Sequence, residues 1–304
     1  MAARVFSIFS IMTSAFPDPA SGATDAASGA DARSESVNSS SPSFPFPAES
    51  LPSQLPTVEI WPDRPELIER AVEVVLSQID HALKRSGRCT MALAGGSTPK
   101  PLYEQLAQAD LDWSKLFIFW GDERYVPPTS PDSNQRMARE AWLDRVPIPA
   151  ANCWPMPTDG ANPAEDAARY EAQLRALFCD QWGLQEDFPS LDLVLLGLGD
   201  DGHTASLFPN TAALAVRDRW VTVGNRGDDP RITLTVPVLN QASCTIFLVS
   251  GESKQPAIAQ VFAPCDDPTL AALLDQTYPA RLVRPVSGEL WWLFDQSAGE
   301  RLEF

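Results

Sequence analysis

Residues 191–209 read LDLVLLGLGDDGHTASLFP, and the fold class follows from this stretch. An unbroken apolar run, Leu193 to Leu196, gives way to Gly197, Gly199 and Gly202, with Asp200, Asp201 and His203 set between and after them. A short continuous apolar run ended by glycine has the pattern of a parallel strand buried on both faces. In open α/β sheets, ligands sit in the crevice beyond the carboxyl ends of such strands. The stretch is therefore expected to deliver an imidazole and two carboxylates to a functional edge. His203 is one of two histidines; His81 falls on the polar face of a helix, beside Glu73 and Lys84, and is expected at the surface.

The same grammar recurs on both sides. Val58 to Trp61 reads as a first strand, and Asp63 with Glu66 three residues on resembles a capping box. The helix that follows places Ile68, Val72, Val75, Leu76, Ile79 and Leu83 at helical spacing. Cys89 to Ala94 is a second strand, running into Gly95-Gly96-Ser97-Thr98-Pro99 and an amphipathic segment around Leu102, Tyr103 and Leu106. Glycines let backbone N–H groups approach a ligand, and a helix N-terminus favours an anion. Taken alone, this loop is either a phosphate cradle or an ordinary tight turn, and it lacks the lysine of a P-loop. Leu116 to Trp120 is a third strand, ending in Gly121-Asp122-Glu123-Arg124. Arg124 is either a bidentate phosphate donor or part of a solvated ion cluster. Asp132 or Ser133 caps the next helix, and Asn162-Pro163-Ala164-Glu165 starts another running to about Phe178. Strands follow at Trp220 to Val223, Ile232 to Val236, Thr245 to Val249 and Leu290 to Phe294; Ser250-Gly251-Glu252-Ser253-Lys254 follows the third of these, and Asp267-Pro268 starts a short helix. Strand–helix alternation implies a mainly parallel sheet with helices on both faces. The turns after residues 94, 120, 196 and 249 all carry polar groups, and they are expected to converge on one edge.

The chain has 304 residues, 44% of them hydrophobic, and a formal charge of −17. That charge argues against nucleic acid or an anionic membrane as partner, and no stretch has the ~18 apolar residues of a membrane span. An anionic substrate would need a pocket with clustered arginine and lysine. Five scattered cysteines, with no CxxC, read as buried thiols in a reducing compartment rather than a disulfide or zinc framework. Residues 1–56 are rich in Ser, Ala and Pro and are expected to be a disordered tail; the remainder, 57–304, is expected to form a single domain. The first twelve residues fit an export signal only loosely.

Gly197-Leu198-Gly199-Asp200-Asp201-Gly202 matches GxGxxG in form, yet two carboxylates inside the loop would repel a pyrophosphate. One usable histidine with neighbouring aspartates is too few ligands for a metal site, and the GxSxG of a serine-hydrolase elbow is absent. General acid–base chemistry by His203, oriented by a carboxylate, and a structural histidine capping a helix are what the residues leave open.

GLGDDGHTASLFP (197–209), AGGSTPKPLY (94–103), WGDERYVP (120–127), SNQRMARE (133–140), RITLTVPVLNQA (231–242) and SGESK (250–254) together resemble the 6-phosphogluconolactonases, in family order. The resemblance implies a three-layer α/β/α sandwich with a mainly parallel, Rossmann-like sheet, shared with glucosamine-6-phosphate deaminases and ribose-5-phosphate isomerases. It implies hydrolysis of 6-phosphogluconolactone to 6-phosphogluconate in the oxidative pentose phosphate pathway, in the cytoplasm, with no metal or organic cofactor and a phosphorylated sugar lactone as the only partner beyond a monomer or small homo-oligomer. His203 is then the base that activates water and Asp201 its orienting partner. Gly95, Gly96, Ser97 and Thr98, with Asp122 and Arg124, hold substrate oxygens and phosphate, and Arg231 and Lys254 belong to the same pocket. One departure stands out. Where many relatives carry a Ser-Pro-Lys-Pro-like segment, this chain has Gly227-Asp228-Asp229-Pro230, which shifts the expected phosphate contacts towards Arg231, Arg226 or Lys254. The alternatives are a glucosamine-6-phosphate deaminase or sugar-phosphate isomerase, and a non-catalytic sugar-phosphate sensor. The deaminases follow Asp-Gly-His with Ile-Ala-Phe-Asn-Glu-Pro, whereas Thr204 to Pro209 has neither Asn nor Glu.

Overall fold

A computed structural model describes residues 4–7 and 55–302. The strands are β1 (Arg4–Ser7), β2 (Thr57–Trp61), β3 (Cys89–Leu93), β4 (Leu116–Trp120), β5 (Asp122–Arg124), β6 (Cys153–Trp154), β7 (Leu193–Leu196), β8 (Val221–Arg226), β9 (Asp229–Leu234), β10 (Cys244–Val249) and β11 (Glu289–Asp295). The helices are α1 (Arg64–Ser86), α2 (Lys100–Leu106), α3 (Asn134–Ala141), α4 (Pro163–Arg175), α5 (Val236–Asn240), α6 (Gln255–Val261), α7 (Pro268–Thr277) and α8 (Gln296–Gly299).

The main sheet runs β1-β2-β11-β10-β7-β3-β4-β6, and every pairing except β1 with β2 is parallel. Every residue of β3, β7 and β10 is buried, as expected of strands covered on both faces. The chain lays β4 and β6 to one side of β3, then returns to place β7 on the other. The reversal of strand order between β3 and β7 opens a crevice at their carboxyl ends. This is the mainly parallel α/β architecture that the sequence implies.

Asp63 caps α1 by accepting from the Glu66 N–H at 2.9 Å, as the capping pattern requires. The buried face of α1 is Leu67, Ile68, Ala71, Val74, Val75, Ile79 and Ala82, whereas Val72, Leu76 and Leu83 lie half-buried at its margins. The expected face was thus displaced. Ala71 and Ala82, which carry little weight in a hydrophobic pattern, belong to the buried face. A fully buried Ile68 or Ile79 contributes about 1.5–3 kcal/mol through the apolar area it removes from water. Ser133, not Asp132, caps α3, accepting from the Arg136 N–H. Helix α4 starts at Asn162 as expected, then continues as a π-helical turn, Ala176–Gln181, beyond the expected end at Phe178.

Two expected strands leave the parallel sheet. β8 and β9 are joined by Gly227 and Asp228 alone and pair antiparallel, because two residues close a hairpin but cannot make a parallel crossover. β9 also pairs antiparallel with β5, forming a separate sheet of order β5-β9-β8. Residues 122–124, expected as a charged turn after β4, are therefore an edge strand of this second sheet. Of the cysteines, all free, only Cys89 and Cys244 are buried; Cys153, Cys179 and Cys265 are half-buried, which corrects the expectation of buried thiols throughout. His81 is exposed as expected. Most of the expected tail lies outside the described residues; of its six described members, Arg4–Ser7 form β1 on the β2 edge and Leu55 and Pro56 lead into β2. Among the described residues no helix is long and apolar enough to cross a membrane.

Candidate active site

The turns after β3, β4, β7 and β10 converge on one pocket of about 450 Å³ at the crevice. It is lined by Gly95, Gly96, Ser97, Thr98, Asp122, Arg124, Asp201, His203, Arg231 and Lys254, the full set that the sequence singles out. Asn134, Asp200, Ala205, Arg226 and Ser250 line it as well. A pocket of this size lies within the range that encloses a small organic ligand.

The turn from Gly197 to His203 is closed by its own hydrogen bonds. The Gly199 N–H donates to His203 O at 2.8 Å, the Gly202 N–H to Gly199 O at 3.0 Å, and Thr204 Oγ1 to Gly197 O at 2.9 Å. Inside this frame, His203 Nδ1 lies 2.5 Å from Asp201 Oδ1, and the same oxygen accepts from the His203 N–H at 3.1 Å. An imidazole nitrogen facing a carboxylate carries the proton, which leaves Nε2 as the basic atom. The bond to His203 holds the Asp201 carboxyl down at about 2, against a smaller opposing effect of burial. Gly199 is required by contact: a Cβ there would sit 2.0 Å from His203 Nδ1. The His203 ring also packs on Phe208, centroids 4.5 Å apart, and Phe208 in turn meets the Arg231 guanidinium at 5.4 Å. Ala205 turns the chain at φ 47°, a left-handed conformation that costs a non-glycine residue about 1–2 kcal/mol.

Arg124 and Arg231 stand directly opposite one another on β5 and β9. Like charges in that arrangement repel. Arg124 Nη1 donates to Asp132 O at 2.7 Å, and Arg231 Nη2 meets Asp229 Oδ2 at 3.2 Å, but Nε of each is buried with no partner among the described residues. Lys254 is differently placed: its Nζ lies 2.7 Å from Asp200 Oδ1, and this pairing lowers the Asp200 carboxyl below its ordinary range.

The Asp122 carboxylate, expected to touch substrate, is almost fully buried and already engaged. It accepts from Ser206 Oγ at 2.5 Å and lies 3.4 Å from Asn134 Nδ2, so it joins three loops around the pocket. Glu123 performs a similar service for α3, accepting from the Asn134 and Gln135 N–H groups at 2.7 Å each. Burial pushes its carboxyl up, partly offset by these bonds. The glycine loop is gripped from two directions. Arg64 Nη2 donates to Ser97 O at 2.5 Å, and the Asn134 side chain occupies the space a Gly95 Cβ would need. Neither Arg64 nor Asn134 stands out in the sequence as a site residue. Asn134 lies in the SNQRMARE segment, which gives it a motif but no geometry. Among the described residues, no cluster of His, Cys, Asp and Glu is arranged to hold a metal ion.

The crevice at the reversal of strand order thus brings an imidazole–carboxylate pair and two opposed arginines to one pocket, an arrangement fit for acid–base chemistry on an anionic small molecule. The family described as Glucosamine-6-phosphate isomerases/6-phosphogluconolactonase matches residues 62–292, and the chain belongs to it. Within that family it sides with the lactonases. It is 55% identical over 246 residues to a 6-phosphogluconolactonase of a Nostoc species, covering 81% of this chain and 98% of the relative. Identity to a Synechocystis 6-phosphogluconolactonase is 54% over 247 residues, covering 81% and 98%. Among solved structures, the 6-phosphogluconolactonase of Trypanosoma brucei superposes with a TM-score of 0.71 at 30% identity, covering 82% of this chain and 99% of that one. A monomeric glucosamine-6-phosphate deaminase shares the fold at 19% identity, with a TM-score of 0.64 over 80% of this chain and 98% of that one.

Proposed function

We propose that this chain hydrolyses 6-phospho-D-glucono-1,5-lactone to 6-phospho-D-gluconate, with His203 as general base. The observation that carries it is the pairing of two arginines, Arg124 and Arg231, across one wall of the pocket that also holds the His203–Asp201 pair. In a chain of charge −17, two guanidinium-bearing residues set opposite one another on a pocket wall support a site for a doubly charged anion. Arg226, on the same wall, adds a third cation.

The chemistry follows from the placement. The phosphate, remote from the reacting carbon, anchors the ring so that C1 meets His203, and its binding energy is spent on orientation. Nε2 of neutral His203 takes a proton from water as the oxygen adds to C1. The resulting oxyanion is stabilised by backbone N–H groups of the Gly95–Thr98 loop. Collapse breaks the bond from C1 to the ring oxygen, which takes the proton back from the imidazolium and becomes the C5 hydroxyl. The new carboxylic acid then loses its proton to solvent. Asp201 steadies the imidazolium between these transfers. Asp122 is a strut that fixes Ser206 and Asn134 rather than a substrate ligand. Every step in this proposal uses side chains, backbone N–H groups and water, with no metal or organic cofactor.

Residues 57–304 act in this proposal as one catalytic unit, and residues 1–56 take no part in the chemistry. A cytoplasmic location, where the free cysteines stay reduced, and a monomer or small homo-oligomer complete it. The test is 6-phosphogluconate formation from lactone generated in situ out of glucose 6-phosphate. The wild type should exceed the spontaneous rate, and Arg124→Ala and Arg231→Ala should each raise KM about tenfold or more. A folded wild type that gives no acceleration refutes the proposal, as does ammonia release from glucosamine 6-phosphate in its place.

A further inference from the structure

Resting on the function proposed above, we infer that Tyr278 is a positioning residue for His203, acting from outside the pocket on the residue that precedes the base. The hydrogen bonds that close the turn from Gly197 to His203 are internal to it. An external anchor comes from the C-terminal end of α7. The Ala280 N–H donates to Gly202 O at 3.0 Å, and the Asn210 N–H donates to Gln276 O at 3.0 Å. Residues 276–280 thus grip the chain on both sides of His203. Tyr278 stands between the two grips. Gly202 has φ 80°, and a Cβ on it would lie 2.7 Å from Tyr278 Cδ1 and 3.1 Å from Tyr278 Cα. The tyrosine ring therefore rests directly on Gly202, while Tyr278 is not among the residues that line the pocket.

The anchor is itself held by charge rather than by burial. None of the residues of α7 is buried, and Leu270 and Leu273 face solvent. Charge-assisted bonds fix its C-terminal end instead. Arg281, 8% exposed, donates from Nε to Asp275 Oδ1 at 2.9 Å. Its Nη1 donates to Gln260 O, Val261 O and Ala263 O, at and just past the end of α6, at 2.8, 3.0 and 3.1 Å. Arg284 Nη2 meets both Asp275 oxygens, at 2.9 and 3.1 Å. The Arg284 N–H donates to Asn240 Oδ1 at 2.7 Å, and Asn240 Nδ2 donates to Leu282 O at 2.9 Å. Residues 275–284 are thereby tied to α5 and α6, and they give Gly202 a fixed support.

The support reaches the base through one peptide. Gly202 adjoins His203, whose N–H donates to Asp201 Oδ1 and whose carbonyl accepts from the Gly199 N–H. A Gly202 peptide free to shift carries the imidazole away from the geometry that Asp201 sets. The cations that line the pocket, Arg124, Arg226, Arg231 and Lys254, stand on other elements. Loss of the Tyr278 ring should therefore lower turnover and leave affinity for the phosphorylated ligand in place.

The test measures kcat and KM for lactone hydrolysis, and affinity for 6-phosphogluconate, in Tyr278→Ala, Tyr278→Leu and Tyr278→Phe. Tyr278→Ala should lower kcat about 10- to 100-fold, with KM and product affinity within about threefold of wild type. Tyr278→Phe should keep kcat within about twofold, because a ring carbon and not the hydroxyl meets Gly202. Tyr278→Leu, bulky but without a ring, should lose at least about threefold, and it replaces the alanine variant if that fails to fold. His81 and His203 are the two histidines of the chain, so the Cε1–H NMR signals of isotope-labelled histidine report on the base without turnover. In Tyr278→Ala the His203 signal should move while that of the exposed His81 stays. The inference is overturned if the folded variant keeps wild-type kcat, if Tyr278→Phe is equally impaired, if kcat and product affinity fall together, or if the His203 signal does not move. A wild type that turns over no lactone refutes instead the function on which the inference rests, and the NMR comparison then still decides whether Tyr278 positions His203.

Discussion

Replacing Gly199 by alanine places a methyl group where the His203 ring now lies. The added Cβ would stand 2.0 Å from His203 Nδ1, 2.2 Å from Cε1 and 2.7 Å from Asp201 Oδ1, against 3.4–4 Å for ordinary contact. The imidazole must therefore retreat by more than 1 Å, and the Nδ1 contact with Asp201 cannot survive the move. Misplacing a reacting group by about 1 Å costs on the order of 10²-fold, and losing general-base assistance altogether costs about 10²–10⁴. Gly199→Ala should lower kcat within that range, or about 2.7–5.5 kcal/mol of barrier. KM should stay near wild type, because the arginine wall is untouched. Gly197→Ala is the control: a Cβ there meets nothing within 4 Å, and its kcat should stay within about twofold of wild type. The assay is lactone hydrolysis over the spontaneous background, with 6-phosphogluconate binding by calorimetry to confirm an intact pocket. A Gly199→Ala protein with wild-type kcat refutes the reasoning, and so does a Gly197→Ala protein that is equally impaired.

Asp229 occupies one arm of Arg231 from an exposed position. Removing such a surface partner frees about 0.2–1 kcal/mol of competing interaction, so Asp229→Ala should lower KM by roughly 1.5- to 5-fold at unchanged kcat; a raised KM would count against an anion site at Arg231. Asp122→Ala strands the buried Ser206 Oγ and should cost about 1–3 kcal/mol in urea unfolding, with unchanged stability as the contrary result. For Asp201, the folded carboxyl is depressed to about 2 from an ordinary 3.8. The stabilisation from its bond to His203 is present above the ordinary value and is lost as pH falls through about 2. Asp201→Asn should accordingly be less stable than wild type at pH 6, and the gap should close between about pH 4 and pH 2; a gap that persists unchanged at pH 2 refutes the linkage.

Much of the architecture was legible because it is written in local pattern. The apolar runs of β3, β7 and β10, each followed by glycine, announced the parallel sheet and the edge where its turns meet. Asp63 announced the start of α1. What local pattern lacked was partner information. Residues 122–124 were legible as a charged turn and residues 220–223 and 232–236 as strands, and no local pattern said that they pair with one another rather than join the parallel sheet. That small sheet is what brings Arg231 opposite Arg124, so the arginine wall is a tertiary fact. The turn after β7 was legible as a pocket turn down to His203 and Asp201, whose two-residue spacing lets one carboxylate oxygen meet both the ring and the backbone N–H. Asp122 was legible as a site residue but not as a strut, because Ser206 is remote in sequence. Arg64 and Asn134 were not legible as site residues, since each acts through backbone or contact geometry at the glycine loop.

The central claim is that His203 performs the base step while other residues hold the phosphate. The direct measurement is a pair of numbers on His203→Ala: turnover of 6-phosphogluconolactone at saturation, and affinity for 6-phosphogluconate. The expected result is a kcat lowered by about 10²-fold or more with product affinity within about threefold of wild type. Wild-type turnover in His203→Ala, or turnover and affinity lost together from a folded protein, would contradict it.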